Sequence, residues 1–531
     1  MPNLIPSKVD LVIIGGGING AGLAAQAAQV GISVVLFEKD DFASGTSSKS
    51  TKLFHGGIRY LEQARFSLVF EGLHERNRLL KMVPHLSRPI PFLLPSYQGD
   101  QRPAWMLKIG LWLYDLLAGS HNIAPHQWFS PQETLVKVPS LKSERLKGCG
   151  LYYDAQVNDA RLVLENILSA EQSGAKCFNY HQVTDIDQEA SGYHVTYWDD
   201  LEKKTGTLFA SCLVNASGPW ANETAQIINS DTEKLVRPTR GTHIVVPQVL
   251  SDHAVLITAQ GDNRVIFVIP WRGYSLIGTT DIDDSTDPDS THPTEEEMDY
   301  LIEQTSRVFP GISLKKEKII AAFAGLRPLA AGGEKHPSSV SREDQIIRKG
   351  RLLTVVGGKL TTYHLMAKHA LQKVLLILDR KNIRNLSVSL PGLPDKPWND
   401  FLKSSTAQWV TEYGVTEIQA HHLAHLYGQR AEQVLALTRE NPELKQPLHP
   451  DRPELAAQVV FAVQKEKALH LDDVLLRRLE IGYSAQRWSE ASEKASRLMS
   501  KELKWDESTR LKELENYRTQ LFPQPPFSSQ N

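Results

Sequence analysis

Leu11-Val12-Ile13-Ile14-Gly15-Gly16-Gly17-Ile18-Asn19-Gly20 is the stretch that decides the fold of this chain. Four apolar residues run into a glycine cluster, and a segment rich in alanine and glutamine follows from Ala21 to Val30. The pattern predicts a buried parallel strand, a tight turn and a helix. Gly15, Gly17 and Gly20 fit the spacing of a dinucleotide-binding turn. The first permits the sharp bend, the second lets backbone approach a pyrophosphate, and the third lets helix pack on strand. The start of the helix, around Asn19, offers N–H groups and the positive end of its dipole to phosphate. A ligand-free βα turn can carry the same glycines, so context must decide. Ser33-Val34-Val35-Leu36-Phe37 reads as the second strand and ends on Glu38. An acid about 20 residues past the glycines accepts hydrogen bonds from a ribose and repels a 2′-phosphate.

The chain has 531 residues, of which 41% are hydrophobic and 23% charged, with a net charge of −2. That leaves room for about three domains with an ordinary globular core and no global attraction to nucleic acid. The three cysteines, Cys149, Cys177 and Cys212, are far apart. They suit a reducing compartment and exclude a disulfide framework or a cysteine zinc site. No metal site is expected, because His421, His422 and His425 share a helix without a convincing ligand set. The first ten residues hold no apolar signal region, and no run of about 18 apolar residues could span a bilayer. The expected location is cytoplasmic, or at a membrane surface.

After Glu38 a small, polar loop from Ala43 to Lys52 falls on the carboxyl side of the sheet, where ligands bind. The hydroxyls of Thr46, Ser47 and Ser48 suit a long phosphate-containing cofactor. Phe66, Val69, Phe70, Leu73 and Leu80 repeat at helical spacing and predict a core-facing stripe. Pro84 to Pro103 reads as extended. Trp105 to Leu117 predicts a buried helix of a cap domain, in preference to an interfacial one. Asn158 to Gly174 predicts a helix, and Ser211 to Trp220 a strand that returns to the nucleotide fold, with Ala216 and Gly218 beside the cofactor. Thr239 to Asp281 is β-rich, and Ala324 to Leu329 predicts a short turn that presents Arg327. Arg351 to Val356 is a further buried strand, broken by Gly357-Gly358-Lys359-Leu360-Thr361-Thr362-Tyr363, with a helix to about Ile377. The basic, apolar run from His364 to Lys381 fits a lipid surface and a core-facing helix equally. Pro391 to Pro397 reads as a linker.

The expected fold is therefore α/β: a Rossmann-like nucleotide domain from about 8–85, 150–225 and 325–390, with cap and β-rich, mixed-sheet substrate segments at about 86–149 and 226–324. An all-α domain follows at 398–520, and 521–531 is expected to be a disordered tail.

Taken together, Ile13 to Gly22, Lys52-Leu53-Phe54-His55-Gly56-Gly57-Ile58-Arg59-Tyr60-Leu61-Glu62, His243-Ile244-Val245-Val246-Pro247, Gly325-Leu326-Arg327-Pro328-Leu329 and Gly357 to Tyr363 resemble the FAD-dependent glycerol-3-phosphate dehydrogenases of the D-amino-acid-oxidase-like flavoprotein superfamily. The resemblance implies bound FAD, oxidation of sn-glycerol 3-phosphate to dihydroxyacetone phosphate by hydride transfer from C2 to flavin N5, and electron delivery to a membrane quinone. It implies cofactor contacts at Gly15, Gly17, Asn19, Gly20, Glu38, Thr46, Ser47, Ser48, Lys52, His55, Gly57, Ala216, Gly218, Gly358, Lys359, Leu360 and Thr361.

A dianionic substrate phosphate suits arginine's planar fork. Arg59 and Arg327 are the expected substrate-binding pair, with Tyr60 and Lys359 beside them and Arg327 also catalytic. His55 and His243 are candidates for the general base, because imidazole titrates near neutral pH. Expected partners are the phosphorylated substrate, a quinone, an anionic membrane surface and a second copy of the chain in a homodimer, with no nucleic acid. Rival readings are an oxidase that uses oxygen, a flavin enzyme for an amine or a 2-hydroxy acid, and a flavin-binding interaction protein without turnover.

Overall fold

In the computed structural model, which describes residues 5–228, 233–331, 345–381 and 388–521, strand Lys8–Ile14 lies inside an eight-stranded sheet. It pairs in parallel with Val34–Phe37 on one side and Lys204–Asn215 on the other, and Leu352–Val356 continues beyond the latter. Leu11, Val12 and Ile13 are wholly buried, as a parallel strand covered on both faces must be. Helix Ile18–Gln29 follows the glycine turn and packs its alanines against helices Asp159–Gln172 and Tyr363–Ile377. Two glycines of the turn are obligatory. Gly15 has φ +109°, and a Cβ there would sit 2.6 Å from the Ala216 carbonyl oxygen. A Cβ on Gly20 would collide with the Gly15 carbonyl oxygen.

The second sheet has ten strands and mixed pairing. Its spine is Val236–Pro247, antiparallel to Tyr274–Gly278 on one side and to Ala321–Ala330 along the other. Leu53–Phe54, Ser87–Tyr97 and Leu146–Val157 also belong to it. The substrate layer therefore draws on residues that sequence pattern allotted to the nucleotide layer. Arg327 lies within a strand rather than a turn, because the Gly325–Leu329 backbone pairs with Pro238 and its neighbours. Proline content hid strand Ser87–Tyr97. Pro89, Pro91 and Pro95 share one parity, so their missing N–H groups all face one edge and the other edge keeps its ladder to Leu146–Val157.

The carboxyl-terminal part is helical, from Trp398–Tyr413 to Glu507–Gln520, around a core that includes Trp409, Tyr427, Phe461, Met499 and Tyr517. Between its helices, Asn441 to Pro453 holds only a short turn at Pro442–Lys445. Most of the predicted tail, 522–531, lies outside the described residues.

Two helices depart from expectation, and a third is decided between its two readings. In Phe66–Met82 the buried stripe is Leu68, Val69, Leu73 and Leu79, whereas Phe66 and Phe70 are 45% and 48% exposed. Helix Ala104–Ala118 is not buried: Trp105 is 66% and Trp112 57% exposed. Helix Tyr363–Ile377 is the core-facing one, with Met366, Ala367, Ala370 and Val374 almost wholly covered. Among the described residues no helix is long and apolar enough to cross a membrane.

Candidate active site

The carboxyl ends of the parallel strands open into a cleft of about 250 Å³. Gly15, Gly17, Asn19, Glu38, Thr46, Ser47, Ala216, Gly218, Gly358, Lys359 and Leu360 all line it, drawn from four separate stretches of chain. Ser47 Oγ accepts the Ile18 N–H at 2.9 Å and so fixes the polar loop to the helix start. Thr46 donates its hydroxyl to the Leu326 carbonyl at 2.5 Å, tying the same loop to the second sheet. Glu38 accepts from the Gly16 and Asp40 N–H groups at 2.7 and 3.0 Å. Burial and the neighbouring Asp40 carboxylate push its pKa up to about 7.

These residues fit a dinucleotide. The glycines leave room where any side chain would intrude, and Ile18–Gln29 directs its amino terminus at the cleft. Trp220, also on the cleft wall, keeps a buried Nε1 with no hydrogen-bond partner. A polar ligand in the cleft would satisfy a donor that otherwise carries a desolvation penalty.

A second cavity, of about 470 Å³, abuts the first. The two meet where Ser50 of one wall is followed by Thr51 of the other, and where Pro328 is preceded by Arg327. Arg59, Tyr60, His55, Gly57 and Arg327 line the second cavity. Lys359, on the first, lays its ammonium 4.0 Å from the centre of the Tyr60 ring. The three cations expected to act together thus converge from distant segments. Arg327 is held in place: its Nη1 donates to Asp281 at 3.1 Å and its Nη2 to Thr279 Oγ1 at 2.9 Å. Asp281 and Thr279 line the cavity too, although sequence pattern marked them only as a strand end.

The histidines separate. His55 faces the cavity, and its backbone N–H donates to Thr361 Oγ1 at 3.0 Å. Thr361 is thus a buried brace behind the cavity rather than a cofactor contact. His243 is 2% exposed and lies behind the wall, stacked on Phe323, with Nε2 2.9 Å from Thr51 Oγ1. Burial, Arg327 and Lys52 lower its pKa to about 3. It is neutral at neutral pH and reaches the cavity through the Thr51 hydroxyl.

Besides Thr361, three expected cofactor contacts line neither cavity. Gly20 serves helix packing, as above. Ser48 is buried and gives its carbonyl to Lys52 Nζ at 3.2 Å. Lys52 is 1% exposed, and its ammonium is consumed by Asp159 at 2.6 Å and Glu480 at 3.3 Å. Nothing in the local sequence marks it as an ion-pair residue, since both partners lie more than a hundred positions away.

A third, apolar cavity of about 160 Å³ lies between Ile58–Gln63 and the exposed helix. It shares Ile58, Arg59, Glu62, Arg102, Leu256 and Val265 with the second cavity and is otherwise walled by apolar residues such as Leu94, Met106, Leu107 and Leu113. Among the described residues no group of three or more histidine, cysteine or acidic side chains is placed to hold a metal ion.

Residues 10–371 match the family model described as FAD dependent oxidoreductase, and residues 388–510 match the C-terminal domain of alpha-glycerophosphate oxidase. The chain is 36% identical over 504 residues to a glycerol-3-phosphate dehydrogenase of Synechocystis, covering 90% of each. It is 34% identical to the mitochondrial glycerol-3-phosphate dehydrogenase of Bos taurus, over 99% of this chain and 75% of that one. The solved glycerol-3-phosphate dehydrogenase of Bacillus halodurans, complexed with FAD, superposes with a TM-score of 0.80 at 29% identity, over 96% of this chain and 94% of that one.

Proposed function

The chain belongs to the FAD-dependent oxidoreductases and, among them, to the glycerol-3-phosphate dehydrogenase family; on that premise we propose that it oxidises sn-glycerol 3-phosphate to dihydroxyacetone phosphate and passes the electrons to a membrane quinone. The observation that carries this reading is the meeting of Arg59 and Arg327 in one cavity at the end of the cofactor cleft. Two guanidinium forks match a dianionic phosphate better than they match a neutral amine. FAD, when bound, supplies a hydride acceptor for the secondary-alcohol carbon.

The protein's own part is orientation and proton handling. Arg327, locked by Asp281 and Thr279, grips the phosphate or the C2 oxygen. Arg59 and the Tyr60 hydroxyl close on it from the opposite segment. Lys359 adds positive charge where the two cavities meet. We assign the general base to His55, which faces the cavity. His243 acts at one remove: a neutral ring that orients the Thr51 hydroxyl.

The acceptor side rests on apolarity. A dry apolar cavity of about 150 Å³ takes a benzene ring, so the third cavity, at about 160 Å³, has room for one quinone ring. Above it Trp105, Ile109, Trp112 and Leu116 are all more than half exposed, with Phe66 and Phe70 on the neighbouring helix. An aromatic, apolar face of this kind suits the bilayer interface. The membrane contact is therefore assigned to helix Ala104–Ala118, with the protein peripheral rather than spanning.

Anaerobic mixing of the yellow holoprotein with glycerol 3-phosphate tests the reaction. Bleaching within one turnover is expected, and no bleaching with a 2-hydroxy acid or an amine. A flavin that stays yellow with glycerol 3-phosphate ends the reading. A stoichiometric yield of hydrogen peroxide in air would move the acceptor from quinone to oxygen.

A further inference from the structure

Loop 41–52 forms part of the cofactor cleft through Ala43 to Ser47, and each of its ends carries a buried charge. At the first end Asp41, wholly buried, receives both Nη atoms of Arg478 at 2.7 and 2.8 Å and the Nε of Arg477 at 2.6 Å. At the second end Lys52 meets Glu480 at 3.3 Å, beside its pair with Asp159. All three partners come from one place in the carboxyl-terminal domain, the π-helical turn Asp473–Arg478 and the residues just after it. Glu480 adopts φ +59°, a left-handed conformation that costs energy for a non-glycine residue. Its carboxylate there also takes Arg272 at 2.6 Å and the Asn158 amide at 2.9 Å. The turn is itself pinned, because Asp473 accepts the Tyr180 hydroxyl at 2.6 Å from the far side of the loop. Burial pushes the Asp41 pKa up, but Arg478 and Arg477 outweigh it and hold the carboxyl below its usual range.

None of these side chains lines either the cofactor cleft or the substrate cavity. We propose that Arg477, Arg478 and Glu480 are positioning residues for FAD: the carboxyl-terminal domain clamps both ends of the loop that covers the cofactor. A loop fixed in its bound shape before the ligand arrives does not charge its ordering entropy to binding. π turns often mark functional positions, and this one places two adjacent arginines on one carboxylate. The domain's contribution to the holoenzyme is then retention of flavin. This inference rests on FAD as the cofactor and not on the identity of substrate or acceptor.

A matched control lies in the same domain interface. Arg161 and Glu466 form a fully buried bidentate side-chain pair at 2.6 and 3.0 Å that joins the same two domains and meets neither end of the loop; the Glu466 backbone carbonyl, which Arg161→Lys leaves in place, also accepts Arg478 at 2.8 Å. Full-length Arg478→Lys, Asp41→Asn and Arg161→Lys proteins are stripped of FAD, melted, and titrated with FAD by flavin fluorescence. The expected result is at least a ten-fold rise in the Kd for FAD with Arg478→Lys and Asp41→Asn, and a change below about two-fold with Arg161→Lys. Equal changes in all three, or tight FAD binding by both loop-end variants, overturn the proposal. Where a variant does not fold, hydrogen exchange on the wild-type holoprotein and its FAD-stripped form decides. Protection lost together in 43–49 and 473–480 on flavin removal supports the clamp; loss in 43–49 alone overturns it. Flavin is read directly in both arms, so an error about glycerol 3-phosphate leaves the test unaffected.

Discussion

Helices Ala104–Ala118 and Tyr363–Ile377 are both fifteen residues long, both apolar, and both leave from the active-site region. The first starts just after Arg102, on the wall shared by the second and third cavities. The other starts just after Lys359, at the junction of the cofactor cleft and the substrate cavity. Yet Tyr363–Ile377 is sealed against Ile18–Gln29, while Ala104–Ala118 shows its two tryptophans to the outside. One helix ties the site to the core and the other ties it to the surroundings. Apolarity is a demand for burial, and it does not name what does the burying: in one case it is protein and in the other, we propose, lipid.

The comparison breaks most visibly under a charge placed on each helix. Val374 is wholly buried, so Val374→Asp strands a carboxylate in the core and should cost more than about 4 kcal/mol. Trp112→Asp, at a position 57% exposed, should stay within roughly 0.5 kcal/mol. Thermal denaturation of the two variants measures the contrast. Comparable losses would mean that the outer helix is as much a part of the core as the inner one.

Acid sharpens the same contrast. His364, in the first turn of the inner helix, is 4% exposed. Burial first, then Arg78 and Lys368, lower its pKa from 6.5 to about 4. The ring is therefore neutral in the fold. Its contribution is complete above pH 6.5, is lost as the pH falls from 6.5 towards 4, and levels off below. That interval is worth roughly 3 kcal/mol of stability. Wild-type protein should melt at a markedly lower temperature at pH 5 than at pH 7.5, and His364→Gln should reduce that difference by its own share, because burial depresses His243, His85 and His422 in the same way. An unchanged pH profile in the variant would assign the acid sensitivity to another group.

At the mouths of the two helices, substitutions should change chemistry rather than stability. Lys359→Met should lower kcat/KM for glycerol 3-phosphate with a soluble artificial acceptor about 100-fold, or roughly 2.7 kcal/mol. Arg102 is paired with Glu62 and donates to Thr258 at 2.9 Å. Arg102→Met should leave that soluble-acceptor rate within about three-fold and raise KM for a quinone instead. Steady-state kinetics with both acceptors separates the outcomes, and equal losses in both assays would merge the two mouths into one site.

Residue pattern made the nucleotide layer legible because its signals are local: strand Lys8–Ile14, the glycine turn and Glu38 lie within one short stretch. Arg59, Arg327 and Lys359 were legible as a set through the motifs around them. What stayed hidden depends on distant partners. Lys52 looks like a cofactor contact until Asp159 and Glu480 fold onto it. Trp220 and Asp281 carry no local mark of a cleft residue. Strand Ser87–Tyr97 was masked by prolines whose shared parity matters only once a neighbour is known. The stripe of helix Phe66–Met82 was misphased because both Phe66 and Phe70 follow helical spacing, yet the core takes Leu68 and Leu79 instead. Periodicity finds an apolar face but cannot say whether protein or solvent lies opposite.

The smallest effect bears most directly on that last ambiguity. A double substitution, Trp105→Ser with Trp112→Ser, removes two indoles that are 66% and 57% exposed, so the melting temperature and the soluble-acceptor rate should hardly move. Partitioning onto vesicles of mixed anionic and zwitterionic lipid should nevertheless fall at least ten-fold, or about 1.4 kcal/mol. Most of each indole is already exposed, and lost contact with bilayer is then the dominant change. Sedimentation with such vesicles reads the effect. The control is Leu376→Ser on the inner helix, whose side chain is 68% exposed although the apolar face of that helix around Met366, Ala370 and Val374 is covered. A lone exposed leucine makes no face, so its loss should leave partitioning unchanged. If it weakens binding as much as the tryptophan pair does, the bilayer contacts the inner helix as well, and the division between an inward and an outward helix fails.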